Sequence, residues 1–538
     1  MTTAARATDT GEVDLVVVGA GFAGMYQLHR ARSLGLRTIV YEAGDGVGGT
    51  WYWNRYPGAR CDVDSVEYSY SFSEELEQEW SWSERYATQP EILRYAEHVA
   101  DRFDLRRDIR FATRVTAAHF DDANGRWTIR TDAGDEVRTR FVVLATGCLS
   151  STNTPDLSGL ATFAGTTVHT GNWPAGGVDL AGKRVGIIGT GSSAIQAIPV
   201  IAAQAAHLTV FQRTPQYSLP AGNRPLDPAE VAEIKADYPG FRVRNRAMNG
   251  AHSARYGRPA KGLWADTAEA RDAEFRFRWA RGGVQFLSAY DNLLIDAGAN
   301  EVAAEFVRDQ IRATVADPEV AERLLPDTVI GCKRICIDDG YFAAYNRPNV
   351  TLVDLREDPL ETITAAGVVA GGVEHPLDVL VLATGFDAMT GTVLRIDLRG
   401  RAGARLADAW AAGPRTYLGL GVPGFPNLFF VTGPGSPSVL TNMIMAIEQH
   451  VDWISDCLAY LDAHGVTQIE ATEAAVESWV DHVNAVAGAT LFPSCNSWYL
   501  GANIPGKKRV FMPLLGFPPY VERCDEVAAS GYTGFALT

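Results

Sequence analysis

Two stretches of the chain share one pattern of apolar and small residues. Leu15-Val16-Val17-Val18 is an unbroken apolar run rich in β-branched side chains, and it stops at Gly19-Ala20-Gly21-Phe22-Ala23-Gly24. A short run without polar interruptions predicts a strand buried on both faces of a parallel sheet. Met25, Leu28 and Ala31 then recur at helical spacing, and a second run, Thr38-Ile39-Val40-Tyr41, ends at Glu42. The same order returns later in the chain. Arg184-Val185-Gly186-Ile187-Ile188 meets Gly189-Thr190-Gly191-Ser192-Ser193-Ala194, a helix is predicted through Ile195, Ile198 and Ile201, and Leu208-Thr209-Val210-Phe211 ends in Gln212-Arg213-Thr214.

Strand, glycine turn, helix, strand and a polar residue at the second strand end are what a dinucleotide requires. The glycines permit a tight turn and close approach of a pyrophosphate, the helix N-terminus faces the phosphates, and the residue at the strand end meets the ribose. Glu42 lies 23 residues after Gly19, and Arg213 lies 24 after Gly189. The carboxylate of Glu42 accepts ribose hydroxyls and repels a 2′-phosphate, so the first unit suits FAD or NAD. The guanidinium of Arg213 suits the 2′-phosphate of NADPH, a charge-assisted contact worth about 1.5–3 kcal/mol. One unit is therefore expected to hold FAD and the other NADPH.

Two further apolar runs, Val142-Val143-Leu144 and Val379-Leu380-Val381-Leu382, each end in Ala-Thr-Gly after one of these units. They predict buried strands at the points where the chain crosses from one unit to the other. A β-rich stretch is predicted near 109–141, a charged, Ala-rich helical insertion over about 220–327, and a late helix over Ile444–Leu461. The reading is an α/β protein with two Rossmann-like dinucleotide-binding domains. Residues 1–148 and 387–538 form the FAD-binding domain, and 149–386 the NADPH-binding domain with its insertion. No other internal repeat and no low-complexity tract is visible.

Composition narrows the partners. The 538 residues are 46% apolar, enough for a sizeable core, and carry a formal charge of −16. That balance argues against nucleic acid or an anionic membrane as the main partner. Seven cysteines at 61, 148, 332, 336, 457, 495 and 524 are odd in number and scattered, which is no disulfide framework and points to a reducing compartment. Cys332 and Cys336 read as two ordinary cysteines. No Cys-x-x-Cys occurs, so neither a metal site nor a redox-active dithiol is expected. Apolar stretches fall short of the roughly 20 residues of a membrane span, and the opening MTTAARATDT lacks the apolar region of a secretory signal. A cytoplasmic monomer is expected.

Between the glycine motifs lies Phe163-Ala-Gly165-Thr-Thr-Val-His169-Thr-Gly-Asn-Trp173-Pro174, which fits FxGxxxHxxxWP. This is the fingerprint of the Baeyer–Villiger monooxygenases, and the chain resembles that family over nearly its whole length, most nearly its phenylacetone and steroid monooxygenase branch. Gly48–Asp62 is similar to the loop near FAD, Pro434–Leu440 to the active-site loop of that branch, and Ser497–Lys507 to the segment that closes over NADP. Cys148 departs from the residue many relatives carry beside the flavin.

The resemblance implies that NADPH reduces FAD, that reduced flavin and O2 form a C4a-peroxide, and that this attacks a ketone. The adduct, a Criegee intermediate, rearranges to an ester or lactone; sulfoxidation is an accompanying activity. It implies Arg334 as the permanent cation and Asp62 as its positioning carboxylate. FAD contacts implied are Gly19, Gly21, Ala23, Gly24, Glu42, Gly49, Thr50, Trp51, Tyr52, Asp62, Tyr68, Val115 and Met443. NADPH contacts implied are Thr190, Gly191, Ser192, Ser193, Ala194, Gln196, Arg213, Thr214, Lys333, Arg334 and Trp498. Ser438 and Val439, with Met443, line the substrate pocket, and His169 couples the domains or is structural.

Two other readings compete. A related flavin-containing oxygenase acting on amines or sulfides shares both nucleotide units but usually lacks Trp173-Pro174. A non-catalytic NADPH sensor leaves Arg334, Asp62 and the flavin loop without a purpose.

Overall fold

The computed structural model describes residues 11–502, 504, 506 and 516–538. The opening ten residues and three members of the closing segment, Asn503, Pro505 and Lys507, lie outside them.

Each glycine motif sits where the pattern places it. The strand Glu12–Val18 leads through Gly19 into the helix Phe22–Ser33 and on to the strand Thr38–Tyr41. In the second unit Arg184–Ile188 leads into Ser192–Gln204 and then His207–Gln212. The turns are made alike: Gly19 and Gly189 stand at φ +105° and +108°, and a Cβ on either would lie 2.5 Å from the carbonyl oxygen of Ala145 or Ala383. Only glycine tolerates that conformation at so close an approach. Both carbonyls belong to the Ala-Thr-Gly segments, so each crossover strand presses on its own nucleotide turn.

Two sheets result. The first runs Asp397–Arg399, Val115–Asp121, Arg126–Thr131, Glu136–Leu144, Glu12–Val18, Thr38–Tyr41, Ile109–Arg110, with Leu428–Phe430 also pairing on Glu136–Leu144. Its nucleotide half is parallel in the register Val16↔Val142 and Val16↔Ile39, while Val115–Leu144 folds as an antiparallel meander. The second sheet, Val350–Asp354, His207–Gln212, Arg184–Ile188, Val379–Leu382, Thr166–His169, is parallel throughout. Chain from both ends of the sequence shares the first sheet, and the second sheet is built wholly from the middle.

The segment 228–324 is helical, with Ala268–Arg281 and Ala297–Thr314 as its longest members. The late helix spans Met443–Ala463 and lies on Phe22–Ser33, with Ile444, Val451, Ile454 and Leu458 buried. Among the described residues no helix is long and apolar enough to cross a membrane.

Candidate functional site

One cavity of about 1690 Å³ opens along the C-terminal ends of the strands of both sheets. Ligands of open α/β sheets bind at such strand ends. Most small-molecule pockets occupy about 300–1,000 Å³, so this space suits more than one.

At its first end Glu42 is 5% exposed and lines the cavity. Its two carboxylate oxygens accept the backbone N–H groups of Ala20 and Gly44, each at 2.7 Å. Burial pushes its pKa up, against those bonds. A carboxylate offers about four acceptor positions, so hydroxyl donors still find room. The helix Phe22–Ser33 begins at Gly21 with no side chain capping its first amides, which line the cavity as donors for a phosphate.

The second end repeats the backbone and reverses the charge. Ser192–Gln204 also begins at an uncapped glycine, Gly191, where a Cβ would meet nothing within 4 Å. That open cradle is what a bound pyrophosphate needs. Thr190 donates its hydroxyl to the carbonyl of Thr214 at 2.9 Å, tying the turn to the strand end that carries Arg213. Arg213 is exposed into the cavity, and Lys333 lines it. Burial pulls the Lys333 pKa below the usual lysine value; Asp327 opposes this and the nearby Arg213 adds to it. Two cations facing one space form an anion site.

Between the ends stands Arg334. Its Nε and Nη2 donate to Asp62 Oδ2 and Oδ1 at 2.6 and 2.7 Å, and Nη1 donates to the carbonyl of Val439. Burial works against both charges, but their pairing wins: Asp62 is held below the usual carboxylate range and Arg334 above the usual guanidinium value. The guanidinium is thus fixed in plane from two sides. Tyr499, 2% exposed, lies against it from the C-terminal segment, and burial pushes the phenol up. Neither glycine motif nor fingerprint marks Tyr499; its signal is its place in the Ser497–Lys507 segment, beside Trp498, which lines the cavity.

Gly19, Gly21, Ala23, Gly49, Thr50, Trp51, Asp62, Tyr68, Val115 and Met443 all line the cavity with Glu42. Thr190, Gly191, Ser192, Ser193 and Thr214 line it on the other side, and Val439 at the middle. Four of the expected contacts do not line the cavity. Tyr52 turns away from the cavity to bond Asp45 and cover Gly44, and Trp53 lines the wall instead. Gly24 and Ala194 sit beneath their turns rather than on the cavity. Ser438 is fully buried with φ 43°, and its hydroxyl points to Met389 Sδ at 3.8 Å, so Val439 and not Ser438 faces the space.

Gln196 has its amide engaged elsewhere. Oε1 accepts from Tyr56 OH at 2.8 Å, and Nε2 donates to the Arg60 carbonyl at 3.1 Å. Beside it Gly58 stands at φ +82°, where a Cβ would lie 2.3 Å from the Gln196 carbonyl. The amide clamps the loop of the first sheet to the helix of the second. The fingerprint residues Phe163, Gly165, His169, Trp173 and Pro174 lie off the cavity. His169 Nδ1 accepts from Gly171 N–H at 3.0 Å, and Nε2 meets Asn153 O and Thr384 Oγ1 at 3.3 Å, which joins both crossover segments. Burial lowers its pKa, as for a structural imidazole.

The cysteines depart from expectation at one pair. Cys332 and Cys495, 163 residues apart, form a disulfide, whereas the other five are free and buried. Spacing could not show this, because the partner comes from a remote segment. Cys336 remains an ordinary thiol, with Sγ 3.2 Å from Ser192 Oγ.

Residues 16–235 match the pyridine nucleotide-disulphide oxidoreductase family. Over 97% of the chain and 96% of the relative, the sequence is 42% identical to a Baeyer–Villiger monooxygenase of Pseudooceanicola batsensis. It is 42% identical to an acetone monooxygenase (methyl acetate-forming) of a Gordonia species, over 98% of the chain and all of the relative. An oxidized steroid monooxygenase bound to NADP superposes with a TM-score of 0.93 at 57% identity, covering 98% of this chain and 99% of that one. With two nucleotide ends of opposite charge, an arginine fixed between them and full-length similarity of this degree, the chain belongs to the Baeyer–Villiger monooxygenase family.

Proposed function

We propose that this chain uses FAD, NADPH and O2 to convert a ketone into an ester or lactone. The observation that carries the reading is the Arg334–Asp62 pair, set in one cavity between an acidic and a basic nucleotide end. Glu42 and the amides after Gly21 would hold FAD; Arg213, Lys333 and the amides after Gly191 would hold NADPH. When bound, NADPH supplies hydride to FAD, and the reduced flavin supplies the oxygen-activating chemistry.

The protein's own part is charge, position and dryness. Arg334 stays protonated at any working pH, so it offers fixed positive charge to the oxyanion that develops on the ketone carbonyl and gives up no proton to it. Asp62 and the Val439 carbonyl hold its donors in place, so little reorganisation accompanies the reaction. Trp51, Trp53 and Tyr56 wall the cavity and exclude water. Val439, Thr441 and Met443 line the same region and would bound the ketone.

Purified protein in air, given NADPH and a panel of linear, aryl, cyclic and steroid ketones, tests the reading by gas chromatography with mass detection. An ester or lactone formed with matching NADPH consumption is expected. Oxidation of amines or sulfides with no ester from any ketone would contradict it.

A further inference from the structure

We propose that Cys332 and Cys495 form a redox-modification site, oxidised by hydrogen peroxide, that controls release of the nicotinamide nucleotide. The disulfide joins the residue before Lys333 and Arg334 to a segment three residues before Trp498. The inference rests on the nucleotide roles proposed above for those residues.

Cys495 differs in exposure from every other cysteine of the chain. Cys61, Cys148, Cys336, Cys457 and Cys524 are buried, and burial pushes each thiol up, Cys148 and Cys336 to about 11. Such thiols are poor nucleophiles. Cys495 alone is partly exposed, and it lines the cavity beside Ser494 and Asn496. Cys332 is 1% exposed directly behind it. Cys61 and Cys148 line the cavity too, but both are buried with their thiols pushed up, so Cys495 is the most exposed sulfur an oxidant finds there, with Cys332 placed to resolve the product.

The segment needs a tether. Between the helices Glu473–Gly488 and Phe517–Ala529, the described residues form only three-residue 3-10 turns, Phe492–Ser494 and Trp498–Leu500. It is held by the buried side chains Phe492 and Tyr499, the latter against Arg334, and by the Leu491 N–H bond to Leu294 O at 2.8 Å. A covalent link at Cys495 confines Trp498 near the nucleotide; without it, the turns can move away as one piece and free the exit.

The Cys495 thiolate attacks one oxygen of hydrogen peroxide, breaking the O–O bond and giving a sulfenic acid and water once the departing hydroxide takes a proton. The Cys332 thiol then forms the S–S bond and displaces the sulfenic hydroxyl as a second water. Two thiols lose two electrons and two protons, and one peroxide is reduced to two waters. NADPH oxidation by O2 without ketone supplies the peroxide, so an idling enzyme would tighten its hold on the nucleotide.

The test uses the FAD-loaded enzyme after peroxide and after a phosphine reductant. Alkylation with peptide mass mapping should protect Cys332 and Cys495 together after peroxide and expose both after reduction. Stopped-flow NADP+ release should be at least about ten-fold faster from the reduced enzyme. Cys332→Ser/Cys495→Ser should release at the fast rate whatever the treatment. Full alkylation of both residues after peroxide, or equal release from oxidised and reduced wild type, would overturn the site. Lys333→Ala is the arm for the underlying reading: unchanged release there refutes the nucleotide contact, while a redox-dependent rate in wild type still upholds the cysteine pair.

Discussion

At the end of the strand Thr38–Tyr41 the chain places a carboxylate, and at the matching step after His207–Gln212 a guanidinium. The backbones leading to them are near copies, down to the φ of Gly19 and Gly189 and the carbonyl each turn presses on. The side chains are held in opposite ways. Glu42 is buried and satisfied by two amides, whereas Arg213 projects into open space beside another cation. A repeated fold thus supplies the shape of a dinucleotide site, and one residue at a strand end supplies the choice. The acidic end presents a carboxylate anchored by two amides, and the basic end two cations with Asp327 beside Lys333.

The strongest way to break this picture is between the two ends. Arg334→Ala should retain FAD absorbance and lower ester formation by about 100- to 1000-fold, as for loss of a main oxyanion donor; undiminished ester yield would remove Arg334 from the chemistry. Next comes the basic end. Arg213→Ala should raise the KM for NADPH about ten- to a hundred-fold and leave that for NADH nearly unchanged. If the preference persists, Lys333 carries it.

The acidic end should answer differently. Glu42→Gln leaves one of the two buried amides facing a donor, at a cost of about 1–3 kcal/mol. A lower melting temperature and a larger FAD-free fraction, with the NADPH preference intact, should follow in thermal unfolding and flavin absorbance. A smaller effect is expected in protons. Lys333 is held below the usual lysine pKa in the free protein, and a bound 2′-phosphate would raise it. NADP+ binding at alkaline pH should therefore take up protons, read by titration calorimetry in buffers of different ionisation enthalpy, and Lys333→Ala should abolish the uptake. The smallest change tests the clamp: Gly58→Ala, forced against the Gln196 carbonyl, should lower the melting temperature and raise the KM for NADPH a few-fold.

Both nucleotide units were legible because every step from strand to strand-end residue is local in sequence. Arg334 and Asp62, 272 residues apart, were joined only by family likeness, and the structure brings them together. What stayed hidden depends on packing. Whether Tyr52 or Trp53 faces the cavity is decided by the direction of a four-residue helix, Thr50–Trp53. Ser438 turns inward because of a left-handed backbone that no residue type there announces. Gln196, a nucleotide contact by family likeness, lines the cavity, but that a loop from the other sheet takes its amide depends on packing. Cys332 and Tyr499 gain meaning only when the C-terminal segment arrives beside Arg334.

The most direct test is a crystal structure with FAD and NADP+ bound. The adenosine ribose of FAD should lie at Glu42, the 2′-phosphate of NADP+ between Arg213 and Lys333, and Arg334 beside the flavin ring. A 2′-phosphate bound away from both cations, or the two coenzymes at exchanged ends, would contradict it.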